Sequence, residues 1–226
     1  MHPRSNTYPL RPLSGQSPIE ELVNTYTHGF GLLLSIGGLS VLVVFANIYG
    51  TVWHIVGSSV YGATLVLLYA ASTCYHAAGS AGSMKGKHSL RNVEQAAIFL
   101  FIAGTYTPFT LVVLSGGWGW SLFGVVWGLS VAGIIASRLY IHRAPAISNL
   151  IFLGLGWLSL IAIVPLKDNL PLGGLLWLLS GGVAYTLGVI FLSQNRIPFN
   201  HGIWHVSVLA GSSCHYFAVL FYVLPL

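Results

Sequence analysis

Polar residues in this chain collect in short breaks, and long apolar stretches fill the space between them. The stretches lie near 26–48, 52–76, 93–114, 118–140, 146–166, 172–192 and 201–224, each close to the roughly 20 residues a helix needs to cross hydrocarbon. The breaks are tight: Asn47 to Thr51, the turn from Ser115 to Gly119, His142 to Pro145, Lys167 to Pro171, and Gln194 to Asn200. Short connections make successive helices antiparallel neighbours. The predicted fold is therefore all-α, a polytopic bundle of seven transmembrane helices over residues 21–226, preceded by a disordered cytoplasmic tail at 1–20. That tail is rich in proline and lacks the apolar run of a cleavable secretory signal.

Within the stretches, small residues recur every fourth position: Gly124, Gly128, Ala132 and Ala136 in the fourth, and Ser180, Ala184 and Gly188 in the sixth. Both rows are expected to pack against neighbouring helices. Pro108 is expected to kink the third span, with the preceding threonines meeting the carbonyl it frees. Tyr49, Trp53, Trp118 and Trp120 sit near span ends, where aromatic belts form. Cys74 and Cys214 lie inside apolar runs and are read as buried small hydrophobes.

Composition agrees with the pattern. Hydrophobic residues make up 55% and charged residues only 6%, against roughly 25% charged in soluble domains. The net charge of +5 raises the question of nucleic acid, which its distribution answers. With the N-terminus in the cytoplasm, Arg4, Arg11, Lys85, Lys87, Arg91, Arg138, Arg143 and Arg196 all fall inside, and only Lys167 falls outside. That bias is a topological signal, placing the C-terminus outside, and no nucleic-acid partner is expected.

Ionisable groups at membrane depth are costly and mark function. Glu21, Asn24 and His28 lead into the first span, Ser72 and His76 close the second, Glu94 opens the third, and His201 and His205 open the seventh. By the topology above, all lie at the cytoplasmic end. His201 and His205, four residues apart, share one helical face at the spacing used to chelate a metal, with Asn200 as a helix cap. His76 or His28 can supply a third imidazole. Three protein ligands leave one tetrahedral position for water, the catalytic rather than the structural zinc pattern. Ser72, one turn before His76, can orient that water or a substrate carbonyl, or simply back-bond to its own helix. Glu94 can carry protons or act as an anion at a helix start beside Arg91. Glu21, Asn24 and His28 form one stripe, suited to holding the outer nitrogens of ligating histidines. His54 lies near the outer face and His215 deep in the seventh span, while His2, His88 and His142 read as solvated.

The chain thus carries Glu21-x-x-Asn24-x-x-Thr27-His28, Ser72-x-x-x-His76 and His201-x-x-x-His205, in that order, together with Ala103-Gly-Thr-Tyr-Thr-Pro-Phe109. From Glu20 to the C-terminus it resembles the hemolysin III family, within the progestin and adipoQ receptor superfamily. The resemblance implies zinc on His76, His201 and His205, which ranks His28 behind His76. It also implies membrane lipids as partners and a place in the bacterial inner (plasma) membrane. Where the family has Asp, this chain has Glu94, one methylene longer. Among the activities the resemblance implies, a zinc-dependent hydrolase of lipid amides makes most use of the serine and the carboxylate, with an acyl amide as substrate. The alternatives are a pore-forming cytolysin and a receptor-like protein with a structural zinc.

Overall fold

Ser17 starts the first helix. Its hydroxyl accepts from the Glu20 N–H at 3.3 Å, the Glu20 carboxylate accepts from the Ser17 N–H at 2.8 Å, and Pro18 takes the first helical position. This reciprocal cap opens a computed structural model that describes residues 15–81, 86–139 and 145–225. Of the expected disordered tail at 1–20, residues 1–14, and with them Arg4 and Arg11, lie outside those residues, as do Lys85, His142, Arg143 and Leu226, whereas Pro18–Glu20 are not disordered but form the first turn of the helix.

Helix α1 (Pro18–Tyr49) is followed by α2 (Val52–Ser80), α3 (Lys87–Pro108), α4 (Gly116–Leu139), α5 (Pro145–Gly156), α6 (Ile163–Asn169), α7 (Leu172–Leu192) and α8 (Asn200–Ala218). A π-helical segment, Phe109–Leu114, continues α3, and another, Val219–Val223, continues α8. A 3₁₀ segment, Trp157–Ala162, joins α5 to α6 into one crossing. Seven helices are thus long and apolar enough to span a membrane, and no strand occurs among the described residues. Their outer faces are hydrocarbon: Leu33, Leu150 and Leu172 are each about seven-tenths exposed. Polar side chains turn inward instead, with Glu21, Asn24, Ser72, His76 and His205 all buried. This inversion suits lipid and not water.

Three helices run past their expected ends at the same side of the bundle. Helix α1 begins eight residues before the apolar stretch, α2 runs on to Ser80, and α3 begins at Lys87. Polar side chains on these extensions, Glu21, Asn24 and Lys87, face inward and lower the apparent hydrophobicity without breaking the helix.

Other expectations need correction. The Gly124 and Gly128 positions of α4 meet nothing within 4 Å; the buried side of that helix carries Leu122, Val126, Ser130 and Ser137 instead. In the sixth span the close approach follows Gly174, Gly181 and Gly188, every seventh residue, where α8 packs: a Cβ at Gly188 would lie 2.6 Å from that of Ser207. Cys74 is exposed on the outer surface and Cys214 half-buried, and both are free. Around Pro108 the threonine hydroxyls donate to the carbonyls of Phe101, Ala103 and Tyr106, not to that of Gly104, which the missing N–H would have served. The chain widens into the π segment after the proline. The fifth span is interrupted because Tyr106 inserts its hydroxyl into it, donating to the Leu155 and Gly156 carbonyls at 2.8 and 2.7 Å and accepting from the Ser159 N–H at 2.9 Å.

Candidate metal centre

The two ends of α8 and α2 bring three imidazoles together. The ring centroids of His76, His201 and His205 are 4.9, 4.7 and 4.8 Å apart, nearly an equilateral triangle. One ring nitrogen from each lies within 4.8 Å of the others. Tetrahedral bonds of about 2.0–2.1 Å place ligand nitrogens about 3.4 Å apart, so small side-chain rotations close the set on an ion. His28 stands outside this group. Its ring stacks on that of His205 at 3.5 Å and 8°, forming a wall.

Hydrogen bonds at the outer nitrogens decide which lone pairs point inward. His76 Nδ1–H donates to Glu21 Oε2 at 2.7 Å. His205 Nδ1–H donates at 3.3 Å to the backbone carbonyl of Asn24, so that residue contributes its main chain rather than its amide. Each bond leaves Nε2 as the acceptor. His76 Nε2 is buried with no hydrogen-bond partner among the described residues, a state that costs free energy unless something occupies it. A bare imidazole nitrogen facing two others fits a divalent ion that prefers nitrogen ligands.

The carboxylate and hydroxyl sit beside this nitrogen. Glu94 Oε1 is 3.6 Å from His76 Nε2 and accepts from the Ser72 hydroxyl at 2.6 Å. Ser72 spends its one proton on Glu94, so it accepts from His28 Nδ1–H at 2.7 Å. The Ser72 hydroxyl therefore turns to other side chains, not to its own helix, and Glu94 turns to Ser72 and His76 rather than pairing with Arg91.

Three groups that shape the centre were not singled out in the sequence. Lys87, counted there as a cytoplasmic charge, is 2% exposed, and its Nζ donates to Glu21 Oε1 at 2.6 Å. Glu20 accepts at 3.2 Å from the N–H of Phe199, the residue before α8, held at φ 55°. A bulky side chain at positive φ is strained, and Glu20 secures it two residues ahead of His201. Asn200 does not cap α8; its amide donates to the Leu192 and Gln194 carbonyls across the preceding turn. Gln16 accepts from the Asn24 amide at 3.0 Å. The only local signal for these partners is adjacency to Glu21 or to a helix start. His54 has a local task, accepting from the Thr51 N–H at 3.0 Å at the start of α2.

A cavity of about 400 Å³ opens from His28, Ser72 and Glu94. It runs between α2, α3, the fifth span, α7 and α8 toward Lys167 and Leu172 at the opposite end of the bundle, lined mainly by Leu, Ile and Phe.

The family model described as haemolysin-III related matches residues 16–216. Hemolysin-3 of Bacillus cereus is 43% identical over 206 residues, covering 91% of this chain and 93% of its own. The Hemolysin-3 homolog of Bacillus subtilis (strain 168) is 42% identical over 203 residues, covering 90% and 94%. The human monocyte to macrophage differentiation factor is 29% identical over 212 residues, covering 90% and 84%. No solved structure matches the chain significantly. With the match running from the cap of α1 almost to the end of α8, the chain belongs to the haemolysin-III family.

Proposed function

We propose that the protein is a zinc-dependent hydrolase of lipid amides in a bacterial plasma membrane, with its metal centre at the cytoplasmic side. The observation that carries this reading is the apolar cavity ending on Ser72 and Glu94, with the Glu94 carboxylate beside the inward nitrogen of His76. An acyl chain fills such a space, and its carbonyl then lies where a serine hydroxyl, a carboxylate and the three-histidine centre meet. His76, His201 and His205 would hold the ion, which supplies Lewis acidity and activates water. The chain's own groups do the rest. Glu94 takes a proton from the attacking water and returns it to the leaving amine. Ser72 turns its hydroxyl from Glu94 toward the substrate carbonyl, where negative charge develops. The hydrocarbon walls exclude bulk water from the acyl chain.

The test uses purified protein in nanodiscs with a panel of N-acyl lipids, reading released fatty acid. Wild type is expected to release it, Glu94→Gln to keep its metal and lose roughly a hundredfold or more in rate, and the His201→Ala, His205→Ala protein to lose both. Full metal retention by that double variant would remove the ligand assignment. No release by the metal-loaded wild type across the panel would remove the hydrolase. The Bacillus cereus relative is named for haemolysis, and a cytolytic role here would appear as dye leakage from liposomes. The cavity's lining is mainly hydrocarbon and makes a poor path for ions, so no leakage is expected.

A further inference from the structure

Among the polar side chains that interrupt the cavity wall far from the metal centre, two lie together. His215 of α8 and Tyr185 of α7 both line it, with ring centroids 5.5 Å apart and planes at 67°. His215 is ten residues beyond His205 on one helix, so it lies about 15 Å further along the bundle axis. His215 Nδ1 and the Tyr185 hydroxyl are buried and have no hydrogen-bond partner among the described residues. Elsewhere in the membrane interior the hydroxyls of Tyr61, Tyr69 and Tyr106 all find partners, whereas that of Tyr185 does not.

The chemistry of this pair is defined by its neighbours. His215 Nε2 faces the carbonyl of Leu178 at 3.3 Å. A carbonyl only accepts, so the proton is on Nε2, and in the neutral ring Nδ1 is a bare acceptor. The tyrosine hydroxyl both donates and accepts. One group satisfies both at once: a hydroxyl that donates to His215 Nδ1 and accepts from Tyr185. Gly181 and Gly211 hold the pair in place, since a Cβ at Gly181 would run into the His215 ring and one at Gly211 would lie 2.7 Å from the Tyr185 ring.

We infer that His215 and Tyr185 form a second polar subsite of the cavity, which selects lipids bearing a hydroxyl part-way along the acyl chain. This deepens the proposal that the cavity holds an acyl chain and rests on it. A plain chain leaves both buried groups unserved, whereas a correctly placed hydroxyl restores two hydrogen bonds.

Octadecanamide and a series of monohydroxy octadecanamides, with the hydroxyl moved along the chain, provide the probes. Trp157 and Trp204 line the same cavity, so quenching of tryptophan fluorescence in detergent reads binding. Wild type is expected to bind one or two adjacent isomers about five- to tenfold more tightly than the plain amide. Tyr185→Phe and His215→Leu should each erase that preference while still binding the plain chain, which also shows that the variants fold. Equal binding of all isomers by wild type, as when the two side chains serve each other, would overturn the subsite and leave the cavity reading standing. A preference surviving both substitutions would also overturn it. Failure of every amide to bind would overturn the cavity reading itself, and the subsite with it.

Discussion

Lys87 is buried at the start of α3 with its ammonium on Glu21, and Glu21 holds the outer nitrogen of His76. Removing the ammonium takes the Lys87 bond from that carboxylate and loosens its hold on the imidazole. If the three histidines hold zinc as proposed, Lys87→Met is expected to weaken its binding about 10- to 100-fold, the usual scale for losing such an outer partner, while Lys87→Arg retains most of it. Competition with a chromophoric chelator measures this directly, and unchanged affinity in Lys87→Met would mean that the pair only supports the fold. The candidate ligands were legible in the sequence because His201 and His205 carry a local spacing and His76 a motif. The partners were not. Lys87 meets Glu21 across 66 positions of chain and Glu20 meets Phe199 across 179, and no periodicity encodes such pairings.

At the level of helices, the apolar pattern located all seven crossings, because hydrocarbon demands a continuous apolar helix each time. It misplaced their ends where inward polar residues extend α1, α2 and α3. It placed Gly188 correctly at a contact but misread the glycines of α4, since a row of small residues states an opportunity and not a partner. The two rows give opposite expectations. Gly188→Leu forces a side chain into Ser207 and Trp204 and should cost about 1–3 kcal/mol of overpacking. Gly128→Leu meets open space and gains helix propensity, up to about 1 kcal/mol. Thermal unfolding in detergent should show a fall of several degrees for the first and no fall for the second. Equal falls would mean that the α4 row has a partner of its own.

Over the whole molecule, the charge bias leads us to expect the His76, His201 and His205 end in the cytoplasm, and reporter fusions after Lys167 and after Arg196 test it. The Lys167 fusion should report the outside and the Arg196 fusion the cytoplasm; the reverse would invert the bundle. The same arrangement has a consequence for biosynthesis. His76 belongs to the second crossing and His201 and His205 to the last, so 125 residues separate the first ligand from the next. At translation speeds of about 5–20 residues per second, His76 waits on the order of ten seconds for its companions. Throughout that interval the nascent chain offers only one of the three candidate ligands, too few to retain an ion. Metal capture would then be a late event that registers the arrival of the final helix, so a ribosome-stalled chain ending before Asn200 should stay metal-free however completely its first six crossings have inserted.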